Sequence, residues 1–428
     1  MSQFRYAVLP ALVIVVMLFS ACQAMAERVY LDISASETRK IQFAVPDLLT
    51  ESGGQQPLGH DLADIIGKSL VFHGIISLTP SGDYGNNPNA DWKKLGLDYV
   101  VLGTYASAGP SLSLKLRLVE AASGNLVIGK TYTGTTSQRH KMLYKFCDDV
   151  ILALTGKPGI ASSQIAYVSF DGRTKEAYLT DILGSFQRRV TRHQNLVVSP
   201  RFTRDGNFLA YSSYHTGNQN LYITDLRQST TTTRIMGFKG LNYGPAFSPD
   251  GRYMIVTLSK DGNPDLYLCT PQGKIIERLT NGPGLNTSAS WSPDGTRIAF
   301  VSDRTGKPQV YVMDMRTRQI QRISFQGSEN AEPAWSPTED LIVYSSLIGG
   351  VYQLFLAHPG QGDSVQLTDD LSHHEAPNWS PDGNQIIYAR RGGRTNRLCA
   401  IMKNGSYNRQ LFNFSGDQTY PQWSRQGQ

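Results

Sequence analysis

The chain has 428 residues, of which 40% are hydrophobic and 18% are charged, and its formal net charge at pH 7 is +6. This length is too great for one ordinary core, so two or more domains are expected. The composition is that of a folded globular protein and excludes a disordered chain. The small basic excess forms no stripe with interleaved aromatic residues, so nucleic-acid binding is not predicted.

The first segment, residues 1–26, has the pattern of a secretory signal peptide. Arg5 provides the positive end, residues 7–19 the apolar core, and residues 24–26 (Ala-Met-Ala) a small-x-small cleavage site. The apolar run is short for a transmembrane helix, so no membrane insertion of the mature chain is predicted. Lipoprotein processing at Cys22 is a competing interpretation, and soluble export is the favoured one.

The second segment, residues 27–160, is predicted to form an α+β domain with one mixed sheet under two main helices. Apolar residues recur at three- and four-residue spacing over residues 57–73, which predicts a helix. Alternation of apolar and polar residues predicts strands. The other predicted elements are strands over residues 28–34, 40–46, 75–78, 98–105, 112–118 and 125–134, a short helix over 91–95, and a last helix capped by Ser137.

Catalytic and metal-binding signatures are absent from the sequence. The glycines of the first domain are isolated and form no phosphate-binding loop, so no cofactor is predicted. The pair His373-His374 is interpreted as lying on a solvated loop, and no metal is predicted there. Cys147, Cys269 and Cys399 fall on a helix and on distant repeats, so no disulfide is predicted.

One phrase recurs along the third segment, residues 161–428, with a period of 44 or 45 residues. The copy Trp291-Ser292-Pro293-Asp294-Gly295 places a tight turn between an aromatic strand and a buried strand. The aromatic position is occupied at residues 202, 247, 291, 335, 379 and 423. A period in the forties with four short strands per repeat is typical of a β-propeller.

Counting each type of strand predicts six blades. The strand at residues 165–169 has no aromatic strand before it, and the aromatic strand that ends at Trp423 has no strand after it. The two are expected to complete one blade, because closure of the ring removes exposed strand edges. The predicted fold class is therefore an all-β six-bladed propeller preceded by a small α+β domain.

The residues before each aromatic strand differ between repeats. They are interpreted as polar loops with exposed aromatic side chains at one rim of the central channel, whereas the aromatic and turn residues are scaffold. A wet surface with a few aromatic anchors suits protein recognition. The predicted rim comprises Asn242, Tyr243, Asn286, Thr287, Asn330, Glu332, His374, Glu375, Thr419 and Tyr420.

The order of these parts resembles the TolB family of the Tol-Pal cell-envelope system. The resemblance covers the signal, the small domain and the six repeats, and includes residues 95–103 (LGLDYVVLG) and residues 154–156 followed by 165–168. It implies an exported, non-enzymatic adaptor in the periplasm. Such an adaptor would support outer-membrane integrity and envelope constriction during cell division.

The resemblance also implies two protein partners. The propeller would bind the peptidoglycan-associated lipoprotein Pal, with contacts that include the positions of Asn286 and Thr287. Leu241 stands where relatives can carry histidine, so the contact there is expected to differ. The N-terminal segment would bind the inner-membrane protein TolA by offering a strand, or else it is an ordinary edge strand. The residues assigned to this segment are Arg28, Val29, Tyr30, Leu31, Asp32 and Ile33.

Two other functions are compatible with a propeller fold. The propeller of a prolyl-oligopeptidase-type peptidase would accompany a Gly-x-Ser-x-Gly nucleophile elbow, and that pentapeptide does not occur in the sequence. A sugar-binding propeller without a catalytic domain stays open as the second alternative.

Overall fold

The computed structural model describes residues 39–228 and 232–425. The predicted signal peptide, the first predicted strand and the six residues assigned to TolA binding lie outside the described residues.

The N-terminal domain is a mixed sheet with two helices packed against it. Its sheet order is β3-β1-β4-β5-β6, with β2 paired to β4. Strand β1 runs parallel to β3 and β4, and β4, β5 and β6 form an antiparallel meander. The elements are β1 (Ile41–Ala44), β2 (Leu49–Thr50), α1 (Pro57–Phe72), β3 (Ile76–Leu78), β4 (Tyr99–Ala108), β5 (Ser111–Glu120), β6 (Leu126–Thr135) and α2 (Arg139–Thr155), with short 3-10 helices at Ser81–Asp83 and Thr136–Gln138.

The core of this domain follows from the helical periodicity. Leu62, Ile66 and Leu70 of α1 are fully buried, as are Phe146 and Val150 of α2. These side chains belong to one cluster with the inward-facing leucines of β5. The mixed sheet and the two main helices therefore agree with the prediction.

Two local predictions are wrong. Residues 91–95 form turns and no helix. Ser137 does not cap the last helix, because it lies inside the 3-10 helix Thr136–Gln138 that precedes α2, and Thr135 and Gln138 form a capping box at the start of that 3-10 helix. In this box the backbone N–H of Thr135 donates to Gln138 Oε1 at 3.0 Å. A Thr-x-x-Gln pair satisfies two backbone donors at once, which a single Ser cannot do.

The rest of the described chain forms six four-stranded antiparallel blades. Blade 1 is β30-β7-β8-β9, and blades 2 to 6 are β10–β13, β14–β17, β18–β21, β22–β25 and β26–β29, each with its inner strand first. The strands are β7 (Gln164–Phe170), β8 (Lys175–Asp181), β9 (Arg188–Arg189), β10 (Val197–Phe202), β11 (Phe208–Ser213), β12 (Asn220–Asp225), β13 (Thr232–Met236), β14 (Asn242–Phe247), β15 (Met254–Leu258), β16 (Asp265–Cys269), β17 (Ile275–Arg278), β18 (Asn286–Trp291), β19 (Arg297–Ser302), β20 (Gln309–Asp314), β21 (Ile320–Arg322), β22 (Asn330–Trp335), β23 (Ile342–Ile348), β24 (Val351–Ala357), β25 (Ser364–Gln366), β26 (His373–Trp379), β27 (Gln385–Arg391), β28 (Asn396–Met402), β29 (Arg409–Gln410) and β30 (Asp417–Trp423).

The ring closes between the two ends of the propeller segment, as predicted. Strand β30 pairs with β7 in antiparallel register, with Trp423 opposite Ile165. The buried Trp423 donates its indole N–H to Ser163 Oγ at 2.6 Å. Strand β30 also contacts β26 of blade 6 and β10 of blade 2. The inner strands therefore form a continuous ring.

The propeller has two different faces. The turn face carries the Asp-Gly turns between the inner and second strands, and the connector face carries the links from each outer strand to the next inner strand. The N-terminal domain packs on the turn face, where the carbonyl of Phe72 accepts from Gln385 Nε2 and Arg409 Nη2, both at 3.0 Å. The Phe72 ring also meets Trp423 edge-on at 5.9 Å. The connector face lies at the opposite end of the inner strands.

We expect Trp423→Ala to destabilise the protein strongly. The variant removes a buried aromatic side chain at the closure seam and at the domain interface, which typically costs about 3–5 kcal/mol. Trp291, which is only partly buried in blade 4, provides a matched control, and Trp291→Ala should cost less. Denaturant unfolding of both variants measures the difference. Equal unfolding midpoints for Trp423→Ala and the parent would contradict the role of this seam.

Candidate functional site

Each inner strand contains a β-bulge at the same place. The pairing register shifts there in all six blades. The residues at this place have φ between 51° and 63°, a left-handed conformation that most non-glycine residues avoid. These residues, named the bulge ring, are Ser199, Gly244, Ser288, Glu332, Ala376 and Tyr420.

The inner strands enclose a central channel of about 190 Å³. The bulge ring lines the channel towards the connector face. The residue two positions after the bulge residue in each blade belongs to the middle ring. The residue five positions after the bulge residue belongs to the turn ring, which lies at the turn face. The middle ring is Arg201, Ala246, Ser290, Ala334, Asn378 and Gln422, and the turn ring is Arg204, Pro249, Pro293, Pro337, Pro381 and Arg425.

The residues of the predicted rim are strand residues and do not form loops. All ten lie at or before the middle of the inner strands β14, β18, β22, β26 and β30. Asn242, Asn286, Asn330 and His374 are buried, which the prediction of a polar solvated loop did not foresee. The physical reason is that the chain already enters the sheet at these residues, so that alternate side chains turn into the blade.

Two of the buried asparagines stabilise the connectors. Asn242 donates from Nδ2 to the carbonyls of Gln219 and Phe238, at 2.9 and 2.8 Å. Asn330 donates in the same way to the carbonyl of Gln326 at 2.8 Å. A buried amide that satisfies connector carbonyls fixes the loop above it, since those carbonyls would otherwise lack partners. These residues act on the connector face without being exposed on it.

The other rim residues are partly buried, and the prediction that their aromatic side chains are exposed is wrong. Tyr243, Glu332 and Tyr420 line the channel near its connector-face end. Their rings and carboxylate share this space with Arg201 of the middle ring. The structure thus brings these three predicted residues together inside the channel. Thr287, Glu375 and Thr419 are partly buried beside the bulges.

Glu332 is the titratable group of this cluster. Burial raises the pKa of its carboxyl to about 7, and the neighbouring Glu375 carboxylate acts in the same direction. The backbone N–H of Ala376, which donates to Glu332 Oε2 at 2.5 Å, and the Arg201 guanidinium oppose this rise. Glu332 therefore changes its charge near neutral pH.

The histidine pair of blade 6 does not form a metal site. His374 is buried, and its Nε2 lies 3.6 Å from Asp370 Oδ2. The partly buried His373 is adjacent to it in strand β26, so its side chain is on the opposite face of the strand. Throughout residues 39–228 and 232–425, no group of three or more His, Cys, Asp or Glu side chains could bind a metal ion. Over the same part of the chain, neither helix is long and apolar enough to cross a membrane.

Exposed apolar side chains on the connector face were missed by the sequence reasoning. Four of the six connectors each carry one, next to glycine or polar residues. The sequence signal for them is a single bulky apolar residue within a connector whose other residues are typical of a turn. These residues, named the connector patch, are Leu196, Phe238, Phe325 and Leu371.

The three thiols predicted to be unpaired are Cys147, Cys269 and Cys399. All three are free and buried. Burial raises the pKa of each, which keeps them in the unreactive thiol form.

Comparison with known families decides the identity of this architecture. The profile described as "TolB beta propeller domain" matches residues 152–426, and the profile described as "TolB amino-terminal domain" matches residues 29–127. The chain belongs to the TolB family. The family resemblance drawn from the sequence is thereby confirmed.

Individual relatives agree with this assignment. The Tol-Pal system protein TolB of Desulfotalea psychrophila is 55% identical over 223 residues, which are 51% of this chain and 51% of that protein. The protein of the same name from Desulfosudis oleivorans is 33% identical over 63% of this chain and 64% of its own length. The matches to these TolB relatives therefore span between half and two thirds of their length. Both relatives are named as proteins of the Tol-Pal system.

A solved structure extends the comparison to the whole architecture. The crystal structure of TolB from Acinetobacter baumannii superposes with a TM-score of 0.80 at 27% identity, over 92% of this chain and 99% of that one. Both the small domain and the propeller of this TolB-family chain therefore have counterparts in a known TolB.

We expect Glu332 to make stability depend on pH. Because its pKa is raised to about 7 in the folded protein, the folded state prefers the protonated carboxyl, and this contribution is lost as pH rises from about 4.5 to 7. Glu332→Gln should melt like the parent at pH 4 and at a higher temperature than the parent at pH 8. Glu277→Gln, which changes an exposed carboxylate on β17, is the control. A constant difference between Glu332→Gln and the parent across this range would contradict the assignment.

Proposed function

We propose that the protein is a periplasmic adaptor that binds Pal on the connector face of the propeller and TolA through residues 28–33, and thereby supports outer-membrane integrity and constriction. We further propose export with cleavage after Ala26, and domains at residues 27–160 and 161–428. Membership of the TolB family supports this proposal, because its relatives carry the name of the Tol-Pal system.

The observation that carries the Pal proposal is the difference between the two faces. The N-terminal domain covers part of the turn face, at Gln385, Arg409 and Trp423. The connector face carries the connector patch, in which Leu371 is 95% exposed. Exposed apolar side chains rimmed by polar residues are typical of a protein-binding surface. The partner would cover the patch and reach Tyr243, Glu332 and Tyr420 at the channel entrance.

The predicted rim contributes to this surface in two ways. Tyr243, Thr287, Glu375, Thr419 and Tyr420 are partly accessible and are proposed to contact the partner. Among the buried rim residues, Asn242 and Asn330 are proposed to act indirectly by holding the connectors, whereas Asn286 donates to Asp265 Oδ1. The buried set is Asn242, Asn286, Asn330 and His374.

Leu371→Asp tests the Pal surface. The side chain is almost fully exposed, so the fold should be unaffected, whereas a charge placed in an apolar contact should weaken Pal binding at least tenfold, about 1.4 kcal/mol. Val365→Asp is the matched control, because Val365 is 64% exposed on the outer strand β25, away from the channel. Calorimetric titration with the soluble domain of Pal measures both. Equal affinities of the two variants would place the contact elsewhere.

Deletion of residues 27–36 tests the TolA segment. We expect loss of TolA binding with unchanged Pal binding and an unchanged propeller melting transition, because a strand offered to a partner contributes backbone hydrogen bonds to that partner alone. Titration of the deletion variant with the periplasmic part of TolA gives the result. A folded deletion variant with parental TolA affinity would mean that TolA binds another surface.

A further inference from the structure

The turn ring departs from the repeat at two adjacent blades. In blades 3 to 6 its members are Pro249, Pro293, Pro337 and Pro381, the proline of the repeated phrase. In blades 1 and 2 the same position holds Arg425 and Arg204. Because the inner strands β30 and β10 are neighbours, the two departures lie side by side at one mouth of the channel.

The stem of Arg204 is held in place by the next blade. It lies across Gly251, where the position of an added Cβ would be 3.3 Å from both Cβ and Cδ of Arg204. Pro249 packs on Gly295 in the same manner, 3.6 Å from the corresponding position. The arginine therefore replaces the packing of the proline and adds a guanidinium at the channel mouth.

The two guanidinium groups have no counter-charge in the described chain. Neither Arg204 nor Arg425 makes a hydrogen bond or an ion pair within residues 39–228 and 232–425. Partial desolvation and the positive charge of Arg204 both lower the pKa of Arg425, and no acidic side chain opposes them. The carboxylate of the same turn, Asp205, accepts hydrogen bonds from Thr203 and Asn207.

A polar atom of the same blade also lacks a partner. Gln422 of the middle ring lines the channel, three residues before Arg425. Its Nε2 donates to Asn378 Oδ1 at 3.1 Å, which orients the amide, and its Oε1 is buried without a donor among the described residues. A buried acceptor without a donor is costly, so a ligand that supplies an N–H or O–H is favoured at this depth.

We propose that the turn-face mouth of the channel is a binding site for a carboxylate or phosphate group, held between Arg204 and Arg425, on a narrow ligand whose N–H or O–H donor reaches Gln422 Oε1. Paired guanidinium groups suit such oxyanions because their planar N–H donors match two oxygens at once. This site lies at the opposite end of the channel from the proposed Pal surface and does not depend on that proposal.

Three small probes distinguish the possible sources of the group. The purified protein is titrated by calorimetry at low ionic strength with triglycine, triglycine amide and inorganic phosphate. We expect triglycine to bind, its amide to bind at least tenfold more weakly, and phosphate to compete with triglycine. Binding should weaken with added salt, as for any charged pair near solvent. Equal affinity for triglycine and its amide, or no binding of either triglycine or phosphate, would overturn the proposal.

The repeat itself supplies the variants. Arg204→Pro restores the residue that four other blades carry at this position, so it should fold normally, and Arg425→Gln removes the second charge. Each should weaken triglycine binding at least tenfold. Arg252→Gln is the control, because Arg252 is an exposed arginine of a neighbouring turn that is paired with Asp250. An equal loss of triglycine affinity in Arg252→Gln would show that binding depends only on general surface charge, which would refute the site. Unchanged triglycine binding in both channel variants would refute it as well.

Discussion

The pairing of β30 with β7 is the interaction on which the rest of the structure depends. It joins strands about 260 residues apart in the chain, as the bond from Trp423 to Ser163 shows. Without it, blade 1 would lack its inner strand, and β7 would present an unpaired edge. The same seam contributes Trp423 to the packing against Phe72 of the N-terminal domain. Ring closure and domain docking thus share the side chain of Trp423.

The bulged inner strands divide the molecule into scaffold and variable positions. The bulge imposes a left-handed residue in every blade, and the residues around it point alternately into the blade and into the channel. Buried amides such as those of Asn242 and Asn330 satisfy connector carbonyls. The connectors are therefore held in place by hydrogen bonds from the blades. A connector can then expose an apolar side chain such as Leu371 without losing its conformation.

The charged and aromatic side chains of the channel lie at positions where single blades depart from the repeated sequence. Ring positions that are filled by glycine, serine, alanine or proline in four of the six blades hold Glu332, Tyr420, Arg204 and Arg425 in the others. A six-fold scaffold with uniform residues would offer a symmetric and featureless channel. Substitution in single blades makes one mouth basic and gives the other a carboxyl that titrates near neutral pH, so the two ends of the channel suit different ligands.

Periodicity in the sequence was sufficient to predict the propeller, its six blades, the closing strand and the preceding α+β domain, because each follows from spacing that repeats locally. The same local signals failed at Ser137 and at residues 91–95, where competing caps and turns decided the outcome. The rim residues show a deeper limit. Whether Asn286 lies on a loop or inside a blade, and whether Tyr243 faces solvent or Arg201, depends on where the chain enters the sheet and on which strands adjoin it. These are relations between residues distant in sequence, and only the closed ring determines them.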